Sequence, residues 1–217
     1  MEINTHTEVE AFSLTADGER ITGLRTDKGP VDCEVVVDVA GPYSAAVAAM
    51  AGVTLPVYSQ RHQILVTEPV EPLQGPMVIS FSHGFYCQQL PKGSFVTGIG
   101  DPREPKGRDT GHSWQFLADV ASKVVEILPL LARLRVVRQW SGLYNVTPDA
   151  QPILGPVERP ANFWLACGFS GHGFMLAPVV GLISAQMILG LKPEMDISLL
   201  DLGRFDRGEL VVEPSVV

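Results

Sequence analysis

Hydrophobic and polar positions follow two different patterns along this chain. Near the start, Ile3, Thr5, Thr7 and Val9 alternate with polar residues, as in a strand with one buried face. Residues 20–25 form another short strand, and turns at Asp17-Gly18 and Asp27-Lys28-Gly29 lie on either side of them. The pattern predicts a small antiparallel meander.

The second pattern begins at residues 34–40, a nearly unbroken β-branched run that stops at Gly41 and leads into a helical segment at 43–51. Continuous apolar strands followed by helices are typical of parallel sheets covered on both faces. Ligand crevices form at the carboxyl ends of such strands, so Ala40, Gly41 and Tyr43 are candidates for ligand contact. An ordinary strand-to-helix turn accounts for these residues equally well.

Residues 55–140 read as strands interrupted by one helix. Apolar positions recur at helical spacing from Phe116 to Leu131, and Pro129 is expected to end or kink this helix. Strands with a single covering helix favour an antiparallel α+β layer. The predicted strands, including those just beyond this region, are 58–67, 77–81, 85–90, 94–99, 136–146 and 153–156.

Residues 163–190 predict a strand, a glycine-rich turn and a helix, a build that leaves backbone N–H groups free at the helix N-terminus. The segment is long and uncharged enough to span a bilayer. Four glycines between 168 and 181, Pro178 and a central Ser-Gly-His favour a buried element and no membrane span.

Composition excludes several function classes. The net charge of -8, from 24 acidic and 16 basic residues, argues against a nucleic-acid surface. Cys33, Cys87 and Cys167 lie far apart, which suggests neither a metal site nor a disulfide framework. Free thiols in a reducing cytoplasm are the simpler interpretation, and the first residues do not resemble a secretory signal.

Three stretches together resemble the flavin-dependent amine and amino-acid oxidoreductases of the D-amino-acid oxidase superfamily. They most resemble its sarcosine oxidase and proline dehydrogenase beta-subunit branch. The stretches are VVVDVAGPYSA at 35–45, the pair 60–70 and 84–90, and GLYNVTPDAQPILGP at 142–156 followed by GFSGHGFM at 168–175.

The resemblance implies a chain whose beginning is absent. Members of the superfamily open with a G-x-G-x-x-G turn that holds the FAD pyrophosphate, and this sequence has none. The expected fold class is therefore α+β, with the C-terminal part of a Rossmann-like FAD-binding domain and an antiparallel-sheet substrate domain. The expected parts are 1–53 and 141–198 for the FAD-binding domain, 54–140 for the substrate domain and 199–217 for a tail.

The resemblance also implies cofactor contacts. Val9 is similar to a position whose backbone contacts adenine, and Ala40 and Gly41 to a turn along the diphosphate. A loop under the pyrimidine edge of the flavin is expected at Gly171, His172, Gly173, Phe174 and Met175. Many relatives have Lys at the position of Met175, so a side-chain cation is not expected there. His172 is interpreted either as an added donor or as a histidine packed in a turn.

Candidate substrate residues are Tyr144, Arg61, His62 and Tyr86, together with His83 and, as a catalytic candidate, His172. Relatives that oxidise glycine or D-amino acids place an Arg where Tyr144 stands. Because a phenol donates only one hydrogen bond, an N-substituted or cyclic amino acid is a better candidate than a simple D-amino acid. Polar strand residues also face solvent often, so each of these assignments has a structural alternative.

The predicted function is oxidation of a sarcosine-, proline- or glycine-like amino acid or secondary amine, with hydride passing from the α carbon to FAD. Without the phosphate-binding turn, the chain is expected to be inactive alone. A second subunit would then supply the rest of the FAD site. The alternative is a non-catalytic subunit or remnant that pairs with a partner chain.

Overall fold

The computed structural model describes residues 2–211 of the chain, and they divide into two compact units. The first unit contains the described residues up to Tyr58 and from Asn145 onward, and the second contains Ser59–Tyr144. Each unit has its own hydrophobic core.

The strands and helices follow the predicted order. The strands are β1 (Val9–Leu14), β2 (Ile21–Thr26), β3 (Gly29–Asp32), β4 (Val36–Asp38), β5 (Tyr58–Thr67), β6 (Val78–Ser80), β7 (Phe85–Gln89), β8 (Phe95–Ile99), β9 (Val136–Val146), β10 (Ile153–Pro156) and β11 (Phe163–Cys167). The α-helices are α1 (Ser44–Met50), α2 (Trp114–Ile127), α3 (Gly173–Ile188) and α4 (Arg204–Arg207). The mixture of helices and largely antiparallel sheets confirms the predicted fold class.

The first sheet of the first unit is the predicted meander, in the order β1-β2-β3. Val9 lies opposite Thr26, the last residue of β2, so the residues before Val9 have no partner strand. The prediction that alternation from Ile3 forms a strand was therefore wrong, because a strand needs a neighbouring backbone for its hydrogen bonds.

The second sheet of the first unit has the order β10-β11-β4. β4 and β11 are parallel, with Phe163 opposite Val36, whereas β10 is antiparallel to β11. The buried side chains of Phe163, Leu165 and Ile153 form the core of this unit with Ala48 of α1. Parallel strands place their carboxyl ends at one edge, so the turns after β4 and β11 lie at the same edge of the sheet.

Residues from the predicted tail pack against this core. Leu202 and Phe205 contact it, and Arg204 between them is fully buried.

The second unit is a five-stranded sheet in the order β6-β7-β8-β5-β9. One face packs against α2, where Phe85, Phe95 and Leu65 meet Phe116 and Val120. Ser113 is the N-cap residue of α2, and its side chain accepts a hydrogen bond from the Phe116 amide. The helix ends before Pro129, as predicted. Side chains alternate along strands, so the opposite face, which we call the open face, carries the residues between these core positions.

Within residues 2–211, none of the helices combines the length and the apolar character that crossing a membrane requires.

Candidate functional site

The glycine-rich turn between β11 and α3 has a specific backbone shape. Gly168, Ser170 and Gly171 all have positive φ, at 74°, 49° and 98°. Asn145 holds the turn at two points: its Oδ1 accepts a hydrogen bond from the Gly168 amide at 2.8 Å, and its backbone carbonyl accepts one from the Ser170 amide at 3.0 Å. The sequence reasoning did not single out Asn145, although it stands directly after Tyr144.

The turn presents the N-terminus of α3. His172 is the N-cap residue, but its side chain makes no capping hydrogen bond, and the first turn contains no acidic residue. Gly171 is exposed, and Phe174 and Met175 have exposed fractions of 98% and 68%. The first backbone amides of a helix have no intrahelical acceptor, so this end offers donors to an electron-rich ligand.

A second turn lies at the same edge of the sheet, after β4. Gly41 has a φ of 53°, and a Cβ placed on it would meet no atom within 4 Å. Asp38 shapes this turn, because its Oδ1 accepts hydrogen bonds from the Ala40 amide and the Ser44 hydroxyl, both at 2.9 Å. In the described part of the chain the buried Oδ2 of Asp38 has no hydrogen-bond partner.

The two turns together suit an electron-rich ring and its linker. Their donors are backbone amides, glycine at 41 and 171 allows close approach, and no carboxylate in the first turn of α3 repels negative charge. The donor set therefore fits the flavin edge that the resemblance assigns to it. Val9, the predicted adenine contact, lies in the first sheet, half-buried at the start of β1.

In the second unit, three of the predicted substrate residues meet on the open face. The rings of His62 and Tyr144 stack with centroids 4.5 Å apart and an interplanar angle of 4°. The ring centroid of Tyr86 lies 5.7 Å from that of His62, and the Tyr86 hydroxyl is 3.1 Å from Nε2 of His62. We call these three residues the aromatic cluster; they come from β5, β7 and β9.

The aromatic cluster carries no charge near neutral pH. Burial lowers the pKa of His62 to about 4, against the opposing effect of Glu104, so the imidazole is neutral. Burial raises the pKa of Tyr86, with a further contribution from Tyr144, and burial also raises the pKa of Tyr144. Both phenols therefore remain protonated and can donate hydrogen bonds.

Arg61 lies outside the aromatic cluster. Its guanidinium pairs with Glu104 and Asp109, each at 2.8 Å, and donates to the Gly111 carbonyl at 3.2 Å. These contacts hold the loop before α2 against β5. His83 is exposed, and its Nδ1 contacts the hydroxyls of Ser80 and Ser82 at 2.8 and 3.0 Å.

Within residues 2–211, no three His, Cys, Asp or Glu side chains are grouped so that they could hold a metal ion. Cys33, Cys87 and Cys167 are free thiols. Burial raises the pKa of Cys87 to about 11 and that of Cys167 to about 12, so both are protonated rather than thiolate at neutral pH.

Comparison with known proteins gives a consistent result. The family model of FAD-dependent oxidoreductases matches residues 1–187. The chain is 31% identical over 217 residues to the sarcosine oxidase subunit beta of Rhodobacter capsulatus, covering 98% of this chain and 50% of that protein. Among solved structures, L-proline dehydrogenase from P. horikoshii has a TM-score of 0.88 at 35% identity, covering 95% of this chain and 55% of that one.

Glycine oxidase from Geobacillus kaustophilus shares the fold, with a TM-score of 0.80 at 23% identity, covering 90% of this chain and 52% of that one. The chain spans about half the length of the curated relatives it matches.

Proposed function

Because the chain belongs to the family of FAD-dependent oxidoreductases, we propose that it forms part of an enzyme that oxidises the Cα–N bond of an amino acid or secondary amine. The names of the relatives refer to sarcosine, proline and glycine, which all contain such a bond. The observation that carries the proposal is the aromatic cluster, in which three residues from three strands build one uncharged surface with hydrogen-bonding tips.

The aromatic cluster suits an N-substituted or cyclic amino acid. The stacked rings of His62 and Tyr144 offer an apolar wall for a methyl group or a ring, and the phenols offer single hydrogen bonds to polar groups. An uncharged, partly desolvated surface also disfavours an ammonium relative to the free amine. The free amine is the form whose Cα–N bond can be oxidised, so the surface would favour the reactive state of the substrate.

The first unit would hold the cofactor. When bound, FAD supplies the acceptor for the two electrons that leave the substrate. The amides at the start of α3 would stabilise negative charge on the ring, and the turn at Ala40 and Gly41 would lie along its linker. Met175 offers no cation, so this stabilisation would come from backbone dipoles.

The cofactor part of the proposal is tested by titrating the purified chain with FAD in a calorimeter. We expect binding weaker than micromolar, because the sequence contains no G-x-G-x-x-G turn for the pyrophosphate. Micromolar or tighter binding by the chain alone would contradict this expectation.

The substrate part is tested by anaerobic bleaching of the flavin absorbance with sarcosine, L-proline and glycine, using the chain co-expressed with the product of its neighbouring gene. Tyr144→Phe and His62→Gln should slow bleaching at least tenfold, whereas His112→Gln, an exposed histidine, should not change it. Equal rates in all variants would remove the aromatic cluster from the substrate site.

A second candidate function is a subunit that pairs with another polypeptide, and the surface of the first unit favours it. β4 is an edge strand of its sheet, and the side chains of Val37 in it and Val39 just after it have exposed fractions of 36% and 70%. α3 buries only Ile183 and exposes Phe174 and Met175 at 98% and 68%. Parallel strands and apolar helices are normally covered by other elements. At the end of β4, the buried Oδ2 of Asp38 has no hydrogen-bond donor among the described residues.

We infer that the partner adds a strand beside β4 and covers α3. Gel filtration with and without the co-expressed neighbouring gene product tests this. Leu182→Glu on α3 should weaken the pairing, and Leu199→Glu, at a somewhat more exposed position outside α3, should not. A chain that is monomeric and yellow by itself would contradict the pairing function.

A further inference from the structure

Gly98 stands inside β8, next to its last residue, where the backbone does not require a glycine. It lies opposite Tyr86 in β7 and Ile64 in β5, and it is buried. Its φ is not among the positive values found at other glycines, so an L residue could adopt the same backbone. A glycine inside a strand weakens the strand, and it often marks a close approach by another group.

The group that approaches is the phenol of Tyr86. A Cβ placed on Gly98 would lie 2.6 Å from the Tyr86 Oη, 2.7 Å from Cζ and 2.9 Å from Cε1. Real Cβ atoms do not come this close, so the ring occupies the space that any other side chain would need. The ring lies across β8, and its position is possible because residue 98 has no side chain.

We propose that Gly98 is the positioning residue of the aromatic cluster: it lets the Tyr86 phenol lie against β8 with its hydroxyl on Nε2 of His62. Any side chain at 98 would lift the ring away from the sheet and break the 3.1 Å contact between Tyr86 and His62. The displaced ring would then enter the space above the open face. This inference rests on the proposed function for its meaning, but its test does not require flavin.

The consequence for function is substrate size. With glycine at 98, the ring is recessed and leaves room above the open face for an N-substituent or a ring on the substrate. With a larger residue at 98, the raised phenol would reduce that room. Position 98 therefore determines which amines the surface accepts, through Tyr86 and without touching the substrate itself.

His62 provides a direct readout of the ring position. The groups that face it are Tyr86 from β7, Tyr144 from β9 and the carboxylate of Glu104. The pKa of His62 is about 4 against an ordinary value of 6.5, chiefly because the site is desolvated. Displacing the Tyr86 ring admits water and removes the hydrogen bond, so the pKa should rise.

The experiment is an NMR titration of ¹³C-labelled histidine in the full chain, with the His62 signal assigned by its loss in His62→Gln. In Gly98→Ala the titration midpoint of His62 should rise by about one pH unit or more towards 6.5. Gly142→Ala is the matched control, because this strand glycine, unlike Gly98, has no atom within 4 Å of its Cβ position and should leave the midpoint unchanged.

A second background separates positioning from a general effect on the fold. Tyr86→Ala should itself raise the His62 midpoint, and adding Gly98→Ala to it should cause no further change, because the contact has gone. An unchanged midpoint in Gly98→Ala, or an equal rise in the Tyr86→Ala background, would overturn the proposal. If Gly98→Ala does not fold, folding of the Gly98→Ala/Tyr86→Ala double variant supports the proposal, and failure of that variant to fold overturns it.

Because the readout is a histidine titration, the proposed oxidoreductase function can fail while this proposal stands, and the reverse also holds.

Discussion

Arg204 binds Asp149 through both carboxylate oxygens, and neither side chain is exposed to solvent. Nε of Arg204 lies 2.8 Å from Oδ2 of Asp149, and a terminal nitrogen lies 3.0 Å from Oδ1. The guanidinium also donates to the Gln151 carbonyl at 2.9 Å. The ion pair thus connects the described part of the predicted tail to the turn that precedes β10, so residues 199–211 belong to the first unit.

We expect Asp149→Ala to lower the free energy of unfolding by roughly 3–5 kcal/mol, because it leaves a buried guanidinium without its counter-charge. Urea denaturation followed by circular dichroism measures the change. Asp201→Ala is the control: it breaks the pair between Asp201 and Arg207, which is partly exposed, and should cost about 1 kcal/mol or less. Equal costs in the two variants would mean that burial of the Arg204 pair does not matter.

The same pair predicts an acid limit for the first unit. Burial raises the pKa of Asp149, but hydrogen bonds from Arg204 and from the Gln151 and Val211 amides outweigh it, so the net pKa lies below the ordinary value. A carboxylate with a depressed folded pKa stabilises the fold above its unfolded pKa of about 4 and loses that contribution as the pH falls further. Unfolding curves of wild type and Asp149→Asn should therefore converge below about pH 4 and separate above it.

His62 predicts a pH dependence at higher pH in the second unit. Its folded pKa of about 4 lies below the ordinary 6.5, so between these values the unfolded chain binds a proton that the folded chain does not. The free energy of unfolding is therefore undiminished by His62 above about pH 6.5, and it falls by roughly 2 kcal/mol as the pH drops to about 5. Thermal unfolding of wild type should show this slope, and His62→Gln should remove it while the exposed control His112→Gln retains it.

Much of the fold could be predicted from local pattern. The predicted strands at 58–67 and 136–146 match β5 and β9 in both bounds. Pro56 and Pro69 flank the first strand and Pro148 follows the second, which marks these ends in the sequence. The helix from Phe116 ended before Pro129, as its missing N–H requires. The predicted strand from Ile3 was wrong over its first residues because a strand needs a paired neighbour. The residues before Val9 extend past the end of β2, and no strand in the described part of the chain lies beside them.

The candidate site could be predicted less completely from the sequence, because its residues also depend on distant partners. The sequence suggested His62, Tyr86 and Tyr144 separately, but only the strand order brings their rings together. Arg61 was chosen as a strand cation, and no local signal indicates that Glu104 and Asp109, more than forty residues away, engage it. Gly98 carried one signal, a glycine inside a strand, which the neighbouring Tyr86 explains only in three dimensions.

Asn145 predicts how firmly the glycine-rich turn is held. Asn145→Ala leaves the buried Gly168 amide without its acceptor, which should cost about 1–3 kcal/mol. Amide hydrogen exchange in residues 168–172 should speed up more than in β10, which Asn145 does not hold. Asn4→Ala, which removes an exposed contact with Glu2, is the control and should change neither quantity. Unchanged exchange in Asn145→Ala would mean that the turn keeps its shape without this clamp.

Gly168→Ala should lower the free energy of unfolding through two separable effects, one on the backbone and one on the contact with Thr147. In Gly168→Ala the new Cβ would overlap the Cγ2 methyl of Thr147, and the residue must also keep a φ of 74°. The left-handed backbone costs roughly 1–2 kcal/mol and the overlap roughly 1–3 kcal/mol more. Gly52→Ala isolates the first cost, because Gly52 has a φ of 76° and no atom near its Cβ position. Adding Thr147→Ser to Gly168→Ala removes the methyl but keeps the hydroxyl that bonds Gln151, so urea unfolding should recover the overlap cost alone. Recovery of nothing by Thr147→Ser would show that the turn moves as a whole instead of pressing on Thr147.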